Sequence, residues 1–430
     1  MPKETTTREP LRVLPPIEEG ALPSRPPVFI APPATRVSDA AHHRRSSSGR
    51  SLIPVLQREK PAEEDDDAHV SKRQRTSSVG PEDENEIATE LGAYTDDEEE
   101  PEADPDGDLW DDLDAADFDD PLMVSEYVAD IQLYLKEAEL VTMPSPTYMD
   151  SQPKLSWEMR GLLNEWLMQV HVRFHLTSET LFLCTNLIDR FLSTRIVSHK
   201  KLQLVGMACM FIAAKYEETV APAVLNFVHV SDGAYEAAEM LQAEQHILHA
   251  LEWNLSYPSP INYLRRISKV DDYDPQSRTV AKYLAEISCV EWRLIATPPS
   301  LVAAAAMWLA RIALGEETWT PNLAHYSTYA ESAVLPAANH MLDYILQPIV
   351  HESFYKKYAG KKNMKVSVYM RQWALARWAE GTRVDLAAKL QDVKNEIRAQ
   401  KTVRIAQQML RKARADAAAG TVVVDEDDTW

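Results

Sequence analysis

KLQLVGMACMFIAAK, residues 201–215, decides the fold. From Leu204 to Ala214 no side chain is charged, and the apolar residues fall on every side of a helix rather than on one stripe. A helix that is apolar all round belongs inside a bundle, enclosed by other helices. A second segment of this kind, SLVAAAAMWLARIAL at 300–314, lies further along the chain. Two enclosed helices predict two bundles.

Working outward, Ser198 opens the first central helix. Ahead of it runs LFLCTNLIDRFL (181–192), opened by Thr177 or Ser178, and ahead of that a helix with Met159, Leu162, Leu163, Trp166 and Val170 three and four apart. Pro222 starts a short fourth helix, and a fifth runs from about Tyr235 to Leu251. After the Pro258-Ser259-Pro260 break come INYLRRIS (261–268), TVAKYLAEISCVEW (279–292), the second central helix, a short Asn322–Tyr329 helix and apolar spacing through Ile349. Strand alternation is nowhere sustained. The expected fold is all-α, with two tandem five-helix bundles over 157–256 and 257–378. In front, residues 120–156 predict a helix and a linker. Asp120 caps the helix, Pro121 takes its first position, and Val124, Tyr127, Val128, Ile131, Tyr134, Leu135 and Ala138 follow at helical spacing. Behind, residues 379–430 predict a charged, solvent-exposed amphipathic helix carrying Leu386, Leu390, Val393 and Ile397, with a loose end from Asp425 to Trp430.

The 430 residues carry a formal charge of −21, and it is unevenly placed. Residues 1–120 hold 31 acids against 13 bases, so the helical remainder is nearly neutral. Residues 81–120 contain 20 acids and no base, and 11 of the 27 prolines precede residue 62. Such a segment buries too little apolar surface to offset an ordering cost on the order of 1–2 kcal/mol per residue. Residues 1–119 are therefore expected to be a disordered acidic regulatory tail.

A near-neutral helical region lacks the clustered Lys and Arg of a nucleic-acid binder. No apolar run is long enough to span a bilayer, and the N-terminus has no signal-peptide core, so no membrane partner is expected. Cys184, Cys209 and Cys289 lie far apart within apolar runs, which suits a reducing compartment and neither a metal motif nor a disulfide framework. No HExxH, GxxxxGK[ST], GxSxG or post-strand GxGxxG occurs, and His246 and His249 read as helix-surface residues. No catalytic residue, metal or cofactor is expected, and the chain does not read as an enzyme.

Several motifs in order make the resemblance specific. Met159-Arg160-Gly161-Leu162-Leu163-Asn164-Glu165-Trp166-Leu167 resembles the signature that opens the cyclin box. Asn186-Leu187-Ile188-Asp189-Arg190-Phe191-Leu192-Ser193 resembles the family's second-helix motif, and Lys201 through Glu218 its third. Asp120 to Tyr127, Phe354 to Tyr358 and Met364 to Ala374 are similar to segments of mitotic B-type cyclins, fungal ones especially. The resemblance covers about residues 119–378.

Cyclins bind a cyclin-dependent kinase and reposition its mobile helix, so the resemblance implies a regulatory subunit acting at the G2/M transition and in mitosis. It implies that Lys215 and Glu244 hydrogen-bond kinase backbone, that Ile212, Tyr216, Leu248 and Trp253 form the apolar ground around them, and that Tyr127 and Tyr134 touch the kinase from the other side. Met159, Leu162, Leu163 and Trp166, with Gln203, are the implied docking patch for substrate peptides of the RxL type; Gln169 stands where several cyclins have an acid. Arg160 and Asp189 are the implied internal ion pair, since buried opposite charges are tolerated when joined. In the tail, Arg8 and Leu11 satisfy the minimal RxxL of a destruction box read by ubiquitin-ligase machinery, and Lys72, Arg73 and Arg75 form a candidate nuclear signal. The expected location is the nucleus, with a cytoplasmic pool. The rival readings are a transcription-type cyclin and a transcription factor built on cyclin-like repeats. The near-neutral box, the absence of a Cys cluster and the B-type segment before the box count against both.

Overall fold

Proline, serine and threonine punctuate the chain where the spacing predicts helix starts. In this computed structural model, which describes residues 102–420, Ser156 accepts a hydrogen bond from the Met159 N–H at 3.3 Å. Pro260, Pro275, Pro299 and Pro321 each occupy a first helical turn, where a missing N–H costs nothing. Among the described residues there are fourteen α-helices and no strand. A preceding helix, α1 (Val128–Val141), is followed by the first bundle: α2 (Trp157–Phe174), α3 (Ser178–Thr194), α4 (His199–Glu217), α5 (Val224–Val230) and α6 (Ala237–Ala250). The second bundle comprises α7 (Pro260–Ile267), α8 (Pro275–Glu286), α9 (Pro299–Leu314), α10 (Pro321–Ser327) and α11 (Glu331–Leu346). Helices α12 (Glu352–Ala359), α13 (Val366–Leu375) and α14 (Leu386–Gly420) complete the chain.

The two apolar helices are the two centres. Every residue of α4 from Leu204 to Ala214 is buried, and α9 is buried from Val302 to Ala310. Gly206 lets α2 close on α4, because a Cβ there would lie 2.8 Å from Leu163 Cδ1. The three cysteines are free and buried.

A buried polar joint ties the bundles together. Arg160 on α2 grips Asp189 on α3 with two parallel bonds of 2.7 Å, Nε to Oδ1 and Nη2 to Oδ2. Its Nη1 donates to the Cys289 carbonyl of the second bundle at 3.1 Å, and Asn164 Nδ2 donates to the same carbonyl at 2.6 Å. Tyr148, in the linker before α2, donates its hydroxyl to Asp189 Oδ1 at 2.8 Å. Burial works against the Arg160 charge, yet the negative Asp189 carboxylate beside it more than offsets this, so Arg160 holds its proton more tightly than usual.

Three sequence expectations need correction. The preceding helix starts at Val128, not at Pro121, because Val124 adopts φ 53°, ψ 37° and breaks the run, leaving only a 3-10 turn at Ser125–Tyr127. The amphipathic C-terminal helix is not solvent-exposed along its first half. Leu386, Val393 and Ile397 are buried, and Lys394 reaches Glu331 of α11 at 2.7 Å. Spacing revealed that stripe, and α11 covers it. Lastly, residues 102–119 are not loose. Trp110 stacks on His325 at 3.6 Å between ring centroids, the Leu113 N–H donates to the Tyr326 hydroxyl at 2.7 Å, and the Asp111 N–H donates to Asn322 Oδ1 at 2.8 Å. Asp114 pairs with Arg266 at 2.9 Å and Lys269 at 2.7 Å, and Lys269 also reaches Asp117 at 2.5 Å. Composition counts these acids as solvated, but the base partners lie on and just after α7. Partial burial raises the Asp114 pKa, and the bonds and charges of Arg266 and Lys269 more than reverse it. The remainder of the expected tail, and the loose end from Asp425, lie outside the described residues.

Asp189→Ala strips the Arg160 guanidinium of its partner inside the core, and should cost about 3–5 kcal/mol in denaturant unfolding. A midpoint equal to that of the unaltered chain would show that the joint does not hold the bundles.

Candidate protein-docking surfaces

Lys215 is the first charged side chain after the buried run of α4, where the helix leaves the core, and Glu244 is carried by the facing α6. The two side chains meet each other directly, Nζ to Oε1, with Lys215 half-exposed and Glu244 nearly buried. The Lys215 ammonium also lies 4.2 Å from the Phe211 ring centroid, where the ring's negative face attracts it. Beside the pair, Tyr216 is 54% exposed and Trp253 59% exposed, far more than aromatic residues usually are. Trp253 and Glu252 both have positive φ, 60° and 55°, a conformation that bulky residues adopt only where the surroundings force it. The Trp253 N–H closes that turn on the Leu248 carbonyl at 2.9 Å.

Not every residue assigned to this surface lies on it. Ile212 is buried in the core and Leu248 is half-buried. The reason for Ile212 is the enclosure of α4, which leaves only its C-terminal end open.

Ile131 and Tyr134 of helix α1, with Tyr127 just ahead of it, face solvent, while other residues of α1 are anchored to the second bundle. Glu139, buried, accepts from the Ser300 N–H at 2.9 Å and the Ser300 hydroxyl at 2.7 Å, at the N-terminus of α9. A carboxylate there meets free N–H groups and the positive end of the helix dipole. Lys136 donates to Tyr329 at 3.0 Å and to Ser300 at 2.9 Å, and Tyr263 donates to the Leu135 carbonyl at 2.8 Å.

The implied peptide patch on α2 divides. Met159 and Leu162 are exposed, Trp166 and Gln203 are half-buried, and Leu163 is turned into the core against Gly206. Residues three and four apart share a face, but α4 claims one edge of it. Gln169 donates to the Ser353 hydroxyl at 2.9 Å, and Glu165 accepts from the Ser353 N–H at 2.9 Å, so α12 borders the patch.

A basic cleft that sequence reading missed opens between the two bundles. It measures about 770 Å³ and is lined by His171, His175, Arg265, Arg278, Lys282 and Lys362, among others. Lys357 in its wall is spent on the fully buried Glu286 at 2.6 Å, and Arg265 reaches Glu179. Arg278, Lys282 and Lys362 have no acidic partner among the described residues. Burial, with Lys357 next in weight, pushes the His171 pKa down to about 4, so it is neutral and its Nε2 meets the Thr177 carbonyl at 2.8 Å. The available signal was the i, i+4 pair of bases on α8, hidden within a segment read for its apolar spacing.

Residues 130–256 match the cyclin N-terminal domain, and residues 258–372 match the cyclin C-terminal domain. The G2/mitotic-specific cyclin cdc13 of Schizosaccharomyces pombe is 57% identical over 269 residues, which cover 63% of this chain and 56% of that protein. The G2/mitotic-specific cyclin-B of Emericella nidulans is 48% identical over 334 residues, covering 77% of this chain and 68% of that protein. The G2/mitotic-specific cyclin-2 of Saccharomyces cerevisiae is 47% identical over 267 residues, covering 62% of this chain and 54% of that protein. The match thus spans little more than half the length of two of these three relatives. Two cyclin domains in tandem, and nearly half of all residues shared across two thirds of a curated B-type relative, place the chain in the cyclin family, among the G2/mitotic-specific cyclins.

Proposed function

We propose that the chain is the regulatory subunit of a cyclin-dependent protein kinase, which it binds and activates to drive the G2/M transition and mitosis. It is not itself the catalyst. The observation that carries this reading is the Lys215–Glu244 pair, set among Tyr216 and Trp253 at the open end of an otherwise enclosed helix. In the free chain the two charges satisfy each other. Against a kinase they turn to backbone donors and acceptors, and the exposed aromatic residues supply the apolar contact that dominates interface energies. Tyr127, just before α1, and Tyr134 on it supply a second contact area.

The basic cleft favours a second element of the same function. Arg278, Lys282 and Lys362, without acidic partners around an open cleft, suit a phosphate group, and charge-assisted bonds to phosphate are strong. Substrates already phosphorylated would be held there, while the patch of Met159, Leu162 and Trp166 takes apolar peptide side chains. The Arg8–Leu11 degradation signal and the Lys72–Arg75 nuclear signal lie outside the described residues and complete the proposal, with a nuclear location and a cytoplasmic pool.

Charge-assisted hydrogen bonds to backbone are worth roughly 1.5–3 kcal/mol each, so losing both anchors should weaken kinase binding about a hundredfold or more. Lys215→Glu with Glu244→Lys preserves the internal attraction, so the variant should melt normally yet neither co-purify with nor activate the kinase. Normal activation would remove these residues from the interface. For the cleft, Arg278→Glu with Lys282→Glu should abolish the preference for a phosphorylated over an unphosphorylated substrate peptide while leaving kinase activation intact. An unchanged preference would exclude the cleft from substrate docking. For the tail, Arg8→Ala with Leu11→Ala should prolong the protein's life after mitosis; normal turnover in a chase experiment would rule that signal out.

A further inference from the structure

Between the docked acidic segment and α1 the chain carries some of its most exposed apolar residues. Phe118 is 79% exposed and Leu122 87% exposed, with Met123 and Val124 also open to solvent. Apolar side chains this open usually lie on loose chain. Here both ends are tied. Upstream, Trp110 lies on His325, and Asp114 and Asp117 are held by Arg266 and Lys269. Downstream, Glu139 and Lys136 fasten α1 to Ser300 and Tyr329. The turn between is itself bonded: Asp120 Oδ1 accepts from the Leu122 N–H at 2.9 Å, and the Asp120 carbonyl accepts from the Met123 N–H at 3.1 Å. Val124, a β-branched residue, is held at φ 53°. Such strain persists where surrounding structure over-determines it, and it clusters at binding and switch sites. Tyr127, Ile131 and Tyr134 follow at once, so open apolar side chains recur along the chain from Phe118 to Tyr134.

We propose that residues 104–124 are a docked strap whose Phe118, Leu122, Met123 and Val124 extend the kinase-facing surface upstream of α1, with the kinase subunit as occupant. This rests on the kinase-binding reading above and on the strap's continuity with Tyr127 and Tyr134. Trp110 and Asp114 are positioning residues, because they touch the second bundle and hold the apolar turn in place. Exposed Asp119, Asp120, Glu126 and Asp130 flank the turn, so the kinase face it meets is apolar with a basic rim.

The test uses the full chain. Phe118→Ala with Leu122→Ala removes two large exposed side chains and should leave the melting temperature unchanged. It should weaken binding to the isolated kinase subunit about tenfold or more, since truncating buried interface anchors typically costs over 1 kcal/mol each. Hydrogen exchange at residues 118–124 should slow when the kinase is added. Trp110→Ala with Asp114→Ala should weaken binding in the same direction and speed exchange at the Leu113 amide in the free chain. Wild-type affinity in the Phe118/Leu122 variant, or unslowed exchange at 118–124, would overturn the strap. Lys215→Glu with Glu244→Lys is run in parallel. If that variant loses the kinase while the Phe118/Leu122 variant keeps it, the strap alone fails; if both keep it, the kinase-binding surface itself fails.

Discussion

The bidentate grip of Arg160 on Asp189 is the constraint from which the rest of the assembly follows. Both charges are buried, and burial of a charge is tolerated only where each lone pair and proton is satisfied. That requirement fixes three things at once: the approach of α2 to α3, the position of Tyr148 in the linker, and the reach of the Cys289 carbonyl from the second bundle. An apolar joint of the same volume tolerates sliding. A planar guanidinium with fixed donor directions does not.

On that frame, surface chemistry is sorted by sign. The end of α4 offers an internally neutralised Lys215–Glu244 pair amid exposed aromatic residues. The cleft between the bundles offers unpaired bases, and the flank of the second bundle offers bases already taken by Asp114 and Asp117. The strongly acidic front of the chain therefore does not repel the folded part uniformly. Its last residues neutralise one basic patch and leave the other free.

Much of the fold was legible because the governing signal is local. Enclosed helices at 201–215 and 300–314 announce themselves by uniform apolarity, and Ser198, Pro222 and Pro260 mark helix starts within two residues, whereas Pro121 does not. Of the residues that the motif resemblance proposes for kinase docking, Lys215, Tyr216, Trp253, Tyr127 and Tyr134 are exposed, and Glu244 lies buried behind Lys215. Ile212, and Leu163 of the peptide patch, are buried in the core, because periodicity cannot say which side of a helix a neighbour will cover.

The sequence by itself determined the helical class, the two centres, the place of the break between bundles and the charge asymmetry, since each depends on residues near one another in the chain. Tertiary structure alone decided what the charges do. Asp114 finds Arg266 at a separation of 152 residues, Glu139 finds Ser300 across 161, and Lys394 finds Glu331 across 63. Composition reveals none of these pairings. Coulomb attraction depends on distance in space and on local dielectric, and the chain specifies neither until it is folded.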